Sequence, residues 1–422
     1  MSPTAVRILP TVAYLAVVVL AAATARELGA SRAGQIVAAL AVATGAGFLG
    51  ASHTNGTTAF DLLAWAVVAW LVARILGGGD ARLWLAVGVA GGLALLNKHL
   101  AVLLAAGLFA GLLLDRRWSV LRSPWVWAGA TIALALWVPN LVWQAANGWP
   151  QLEMATAIAD RDGVENRVLL LPLELLIAGL PMTPILVAGL VWLLRSADGR
   201  PWRPLATAFL VGLALVFLSG GKAYYVMGLL PALLAAGAVV AGPWIVRTTT
   251  RVAVFAGALV VNVLLSALLV LPVLPPEVLA TTPVMDIYPD SGEQVGWDAL
   301  VAEVERVAAS LQPEERSRAI VFTMNYGEAG AVELLGEGLP PAYSGHNAYW
   351  DWGPPPEVDG PIIVLGFWER PWMSSFCREA RLVGMIDNGY DLANEEQGGA
   401  VWLCTERRGT WEEVWPALRH LS

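Results

Sequence analysis

The sequence predicts a polytopic α-helical membrane protein of about ten spanning helices with a C-terminal extracytoplasmic α/β domain. Three observations predict it. The chain is 57% hydrophobic with only 14% charged residues. Its apolar residues gather into long blocks before about position 275, and its polarity changes abruptly after that point. A bilayer core of roughly 30 Å is crossed by about 20 apolar residues. Blocks of about that size lie at 8–25, 33–51, 57–76, 82–97, 99–114, 124–143, 167–194, 204–219, 224–241 and 252–272. The fourth and fifth are short and share the polar break Asn97-Lys98-His99, so they read as a tight helical hairpin.

Charge orients these helices. Threading from the first block puts Arg26, Arg32, Arg74, Arg82, Arg116, Arg117, Arg122, Arg195, Arg200, Arg203, Arg247 and Arg251 on one side. The other side receives only Arg7, Lys98, Arg161, Arg167 and Lys222. Loops rich in basic residues stay cytoplasmic. The N-terminus, the loops at 52–56, 97–99, 144–166 and 220–223, and everything after 275 are therefore expected outside. A multi-pass chain that starts outside implies one further span before Thr11. The alternative is a signal peptide, with Arg7, an apolar run from Thr11 to Ala22 and Ala23-Thr24-Ala25 as a cleavage site.

The domain boundary follows from composition, with residues 1–275 forming the membrane domain and 276–422 a soluble one. The tail has nine arginines against 24 acidic residues, a net charge of −15, whereas the membrane part carries +7. No 18-residue apolar run occurs in the tail, and Pro and Gly punctuate it. Helical spacing over Trp297–Leu311 and Tyr326–Leu335 alternates with strand signals at Ala319–Thr323, Pro361–Phe367, Arg381–Ile386 and Ala400–Cys404. That alternation predicts an α/β layered unit large enough to bury its own core. Cys377 and Cys404 both fall in it. Two buried free thiols are the ordinary reading, and a disulfide is the alternative an oxidising compartment allows.

No phosphate-binding glycine motif, zinc spacing or internal repeat occurs, so no cofactor, metal or nucleic acid is expected. The chemistry is expected at the outer ends of the helices. His53, Asn55 and Asp61 flank the third block; Asn97, Lys98 and His99 fill the hairpin turn; Gly220-Gly221-Lys222 precedes Tyr224 and Tyr225. Lys98 and Lys222 are the only lysines in the chain. Charges at a membrane boundary serve a pathway, a ligand or an anchor, and the pair is read as a clamp for a lipid phosphate. Plainer roles exist for each: helix caps for His53 and Asn55, a helix N-terminal acid for Asp61, snorkelling for the lysines, an aromatic belt for the tyrosines. Glu153, Asp160, Arg161 and Asp162 in the long outer loop read as solvated charges.

These residues sit in stretches that resemble a known family. The stretches are LALLNKHLAVLL (93–104), PNLVWQAANGWPQLEM (139–154), GGKAYYVMGLLPALLAAG (220–237), MNYGEAGAVELLG (324–336) and YSGHNAYWDWGPPP (343–356). In order and content they are similar to the family 39 glycosyltransferases, in the clan of protein mannosyltransferases and lipid A aminoarabinose transferases. The resemblance implies a GT-C-like bundle that moves a sugar from a polyprenyl-phosphate donor to a cell-envelope acceptor, protein, lipid or polysaccharide. It assigns donor-phosphate binding to Asn97, Lys98, His99 and Lys222. It also implies an acidic pair in a first outer loop, acting as general base. That loop has no counterpart here, so an upstream segment or an inactive chain is expected, with Asp61 a weak substitute.

Two other classes stay open. A transporter or flippase for a lipid-linked substrate would show repeats and broken mid-membrane helices, and Glu174 is the only mid-span charge. A non-catalytic envelope-glycan binder would use Gly345, His346, Asn347, Tyr349, Trp350 and Trp352, although core packing is the plainer role for the tryptophans.

Overall fold

The computed structural model describes residues 3–421 and divides into two compact units, Met1–Leu271 and Pro272–Ser422. In the first unit every predicted apolar block is helical. Helices α1 (Pro3–Glu27), α4 (Thr57–Leu76), α8 (Pro124–Ala146) and α13 (Thr249–Val270) are continuous. Helices α11 (Arg203–Ser219) and α12 (Leu230–Ile245) are each extended at the N-terminus by a 3-10 segment, Arg200–Trp202 and Ala223–Leu229. Among the described residues these six are long and apolar enough to cross a bilayer, and the total is eight if each of two bent pairs is one span. The remaining two blocks are α5 (Leu83–Asn97) and α6 (Ala101–Leu114), of 15 and 14 residues. At 1.5 Å per residue both fall short of a full crossing, and a single turn, α7 (Trp118–Leu121), follows them.

The bent pairs correct the sequence reading, which drew 33–51 and 167–194 as continuous. Helices α2 (Arg32–Thr44) and α3 (Ala46–His53) meet at 59°, and α9 (Pro150–Ala178) meets the segment Leu180–Arg195, which contains α10 (Thr183–Arg195), at 84°. Gly179 turns the second break at φ 94°, where a side chain would be strained. Breaking a helix in hydrocarbon frees backbone groups that only protein can satisfy. Asn262 of α13 donates from Nδ2 to Thr44 O at 2.7 Å, Ser266 Oγ donates to the same carbonyl at 2.8 Å, and the Asn262 side chain packs against Gly179. One helix thus bonds to the first break and packs against the second. The outer loop predicted at 144–166 is also largely helical. Pro150 opens α9 at its first turn, where a missing N–H costs nothing, and Gln151, Leu152, Glu153, Met154 and Ala155 that follow are good helix formers.

Small residues let the helices approach closely, the usual device in lipid. A Cβ built on Gly237 of α12 would lie 1.8 Å from Ile185 O of α10.

The second unit is a three-layer α/β sandwich. Short helices α14 (Pro276–Leu279) and α15 (Val284–Ile287) lead into α16 (Trp297–Ala309). The sheet has order β2-β1-β3-β5-β4, from β1 (Ile320–Thr323), β2 (Ala342–Ser344), β3 (Ile362–Gly366), β4 (Cys377–Met385) and β5 (Ala400–Arg407). β1 pairs parallel with β2 and β3, and β5 runs antiparallel to β3 and β4. Strand alternation sends Val321, Ile363, Leu365 and Leu403 toward α16 and α18 (Tyr326–Leu335). Phe322, Val364, Trp402 and Cys404 face the other way, onto α20 (Arg370–Phe376) and α21 (Trp411–Leu418). Single turns α17 (Pro313–Arg316) and α19 (Ala348–Asp351) complete the unit. The sequence reading missed β2, α20 and α21: three residues give no period, and Pro371 and Pro416 interrupt the helical pattern.

Cys377 and Cys404 form a disulfide, with Cα atoms 5.9 Å apart on the paired strands β4 and β5, which corrects the ordinary reading of free thiols. Sheet pairing of segments 27 residues apart in sequence brings the thiols together. In the chain-entropy description a loop of that length gives about 3 kcal/mol. Cys404→Ser in the full chain should lower the denaturant-unfolding free energy of this unit by about 3 kcal/mol, read by tryptophan fluorescence. A change below about 0.5 kcal/mol would show that the sheet alone fixes the strands.

The unit also gathers acidic groups. Carboxylate oxygens of Glu293, Glu395 and Glu396 all lie within 4.8 Å of one another. Burial, and then the Glu396 charge, pushes Glu293 up to about 8. Burial pushes Glu328 up to about 7, although Met324 and Asn325 N–H groups donate to it. In the unfolded chain such groups lose their protons near pH 4.5. Their stabilisation is therefore complete below about 4.5 and is lost as pH rises toward 8. Glu293→Gln should leave the unfolding midpoint nearly unchanged at pH 4.5 and raise it at pH 8 relative to the parent chain. Parallel pH profiles for the two would refute the upward shift of Glu293.

Candidate functional site

The hairpin turn between α5 and α6 is anchored on both sides so that Lys98 points between them. Asn97 Nδ2 donates to Thr57 O at the start of α4, at 2.9 Å. His99 Nε2 lies 3.0 Å from Asn140 Oδ1 of α8, and its ring meets Trp137 edge-on at 5.7 Å. These contacts give Asn97 and His99 a positioning part in the structure. Between them, Lys98 Nζ donates to Thr58 Oγ1 at 3.2 Å.

The ammonium is then held by aromatic faces and charge. It lies 4.7 Å from the Tyr224 ring centroid and 5.8 Å from that of Tyr225, and the two rings meet edge-on at 5.0 Å. A desolvated cation over a ring gains about 2 kcal/mol. Asp61 and Lys222 both lie within electrostatic reach of Lys98. Asp61 is buried on the first turns of α4, where Trp65 Nε1 donates to its Oδ1 at 3.0 Å. A buried carboxylate held in that way, within electrostatic reach of a half-buried ammonium, offsets part of the cost of keeping both in the bundle.

The second lysine is delivered by the Gly220-Gly221 turn. Gly220 ends α11 in the left-handed region at φ 68°, and a Cβ there would meet Gly163 Cα of α9 at 3.0 Å. Asn166 Nδ2 donates to Gly220 O at 2.8 Å, and Arg167 Nε donates to Phe217 O at 3.0 Å. These two α9 side chains fasten the turn that carries Lys222, and Asp162, also on α9, lies within electrostatic reach of Lys222. Arg161 pairs with Asp162 at 3.0 Å. The sequence reading took this stretch as a solvated loop and so missed its role. The Gly220-Gly221 pair beside the lysine was the available signal.

The structure therefore brings Asp61, Lys98, Lys222, Tyr224 and Tyr225 into one neighbourhood and adds Thr58 and Trp65. His53 ends α3, half-buried, and Asn55 is exposed in the following turn. Glu153 and Asp160 are exposed on α9.

In the second unit the 343–352 stretch divides its aromatic residues. Trp350 and Trp415 exchange hydrogen bonds from ring N–H to backbone carbonyl at 2.9 and 3.2 Å, so Trp350 packs. Trp352 is 73% exposed and its ring lies 4.3 Å from that of Tyr349. His346 is buried, stacked on His420 at 5.0 Å, and desolvation followed by the His420 charge pulls it down to about 4. Its Nδ1 accepts from Tyr326 N–H, and its Nε2 lies 2.9 Å from Asn347 Nδ2.

No curated protein and no solved structure matches the chain. Residues 2–143 match the dolichyl-phosphate-mannose-protein mannosyltransferase family. That span contains α1 to α6, the Asn97-Lys98-His99 turn and Asp61. Over this region, about a third of the chain, the sequence is similar to the dolichyl-phosphate-mannose-protein mannosyltransferases.

Proposed function

We propose that this protein transfers a sugar from a polyprenyl-phosphate donor to a cell-envelope acceptor, with Lys98 and Lys222 holding the donor phosphate. The observation that carries the reading is the aim of Lys98 between two tyrosine rings, within reach of the only other lysine. In the reaction an acceptor hydroxyl oxygen attacks the anomeric carbon. The bond from that carbon to the phosphate oxygen breaks, and the phosphate leaves with the bonding electrons. The acceptor proton passes to a base. Fixed cations stabilise charge as it develops on the leaving group and need not reorganise to do so. Compact ammonium groups suit that task better than a planar guanidinium. The two tyrosine rings restrict the Lys98 ammonium to one approach. Asp61 balances Lys98 between turnovers, and this is a positioning role.

The site and the second unit are assigned to the extracytoplasmic side. Arginine bias supports this orientation, and so does the disulfide, which persists in oxidising compartments. A second reading, a carrier of the same lipid-linked substrate, is favoured by one observation. The two bent pairs adjoin, and both carboxylate oxygens of Glu174 on α9 are buried without a hydrogen-bond partner.

Release of radiolabelled sugar from a polyprenyl-phosphate donor by the reconstituted protein separates these readings. Transfer is expected for a full-length homologue that carries the acidic pair, and in it Lys222→Ala should cut turnover by about 10²–10³. Turnover that survives Lys222→Ala would reduce this lysine to an anchor. Labelled donor that crosses the bilayer without sugar release would favour the carrier.

A reporter fused after Ser422 tests the orientation independently. It should be active only outside the cytoplasm. Activity confined to the cytoplasm would reverse the assignment.

A further inference from the structure

The arginine-rich end of the membrane unit holds a cavity that the transferase reading does not use. Its volume is about 560 Å³, and Asp115, Arg116, Arg117, Ser119, Arg200 and Arg203 line it, with Leu114 at its edge. A basic loop residue that only fulfils the membrane charge bias needs water or headgroups around it and no fixed direction. These four arginines converge instead. Arg203 pairs with Asp115 at 3.6 Å, and Arg117 and Arg200 also lie within electrostatic reach of that carboxylate. One carboxylate cannot balance four guanidinium groups.

The local backbone is built to hold this arrangement. Asp115 closes α6, and the next residue, Arg116, turns at φ 54° in the left-handed region, where only glycine and asparagine sit comfortably. That turn presents two successive arginines at the cavity. Arg117 then crosses to the α10–α11 connection and donates from Nη2 to Arg200 O. Inside, Arg117 Nε, Arg203 Nε and Asp115 Oδ2 are buried without a hydrogen-bond partner. Buried charged donors in that condition call for an acceptor.

We infer that this cavity is a binding site for the phosphate headgroup of an anionic phospholipid. Phosphate oxygens match the paired donors of guanidinium groups. Leu114 is 70% exposed at the cavity edge and Trp118 is 48% exposed just beyond it, an apolar and an interfacial surface suited to an acyl chain and its ester region. Basic pockets between spanning helices on the arginine-rich face are the expected setting for acidic lipids. A soluble diphosphate would share the headgroup chemistry and would leave the apolar edge unused.

The experiment uses the full chain, delipidated in neutral detergent, and follows binding by native mass spectrometry. Dioleoylphosphatidylglycerol should bind at least about tenfold more tightly than dioleoylphosphatidylcholine. The double variant Arg116→Asn/Arg200→Gln should weaken phosphatidylglycerol binding by about tenfold and leave phosphatidylcholine unchanged. Asparagine tolerates the left-handed turn, and the hydrogen bond from Arg117 reaches the Arg200 backbone, so the fold is kept. Arg200→Gln alone should weaken binding by a smaller factor if the double variant is poorly folded. The control Arg32→Gln/Arg247→Gln removes two charges at the same end but outside the cavity, and should change nothing. An equal loss in that control would reduce the effect to diffuse surface charge and overturn the site. Inorganic pyrophosphate binding, lost in the double variant while the two lipids bind alike, would replace the lipid with a soluble phosphate and overturn the assignment.

Discussion

A bilayer offers no water to a carbonyl or N–H that a helix leaves free, and this constraint governs the membrane unit at its two breaks. Thr44 and Gly179 mark places where a spanning helix changes direction, and α13 approaches both through Asn262. The breaks set the walls of the site. The turn at Gly45 carries the chain through α3 to the start of α4, where Thr58 and Asp61 meet Lys98. The helix that ends at Gly179 carries Asn166 and Arg167, which fasten the turn bearing Lys222.

Electrostatics then divides the membrane unit into two kinds of cationic site. The lysine site is a compact point charge held by one buried carboxylate, one hydroxyl and two aromatic faces. The arginine cavity is a set of planar donors around a single acid, with donor atoms still unsatisfied. Ammonium and guanidinium differ in hydration and in the geometry of their donors. A lysine suits transient stabilisation of a leaving group, and converging arginines suit retention of a bound headgroup.

The second unit depends on a different balance. With a net charge of −15 over 276–422, it gathers three carboxylates, of which Glu396 is buried and Glu293 half-buried, and it buries Glu328 as well. Burial and mutual repulsion keep protons on Glu293 and Glu328. Its sheet also carries a disulfide between neighbouring strands, so both the proton balance and the redox state of its surroundings act on its stability.

Much of this was legible in the residues. Hydropathy alone determined the helical blocks, since a span must be apolar along its whole length. The acidic tail and its alternating periods determined a separate α/β unit, and the Asn97-Lys98-His99 and Gly220-Gly221-Lys222 turns pointed to the lysines. Neither bent pair could be read, because a glycine in an apolar helix is far more often a packing residue than a hinge. The helical identity of 150–166 was obscured by its charge, and the Cys377–Cys404 bond by a sheet order that only long-range pairing sets. Which polar residues carry Lys98 and Lys222, and which arginines converge on one cavity, was decided by tertiary structure alone. Sequence fixes the local period and polarity of a segment. Contacts between residues 40 or 54 positions apart, such as Lys98 with Thr58 or Asn166 with Gly220, exist only once helices have packed, since packing sets which side chains share a volume.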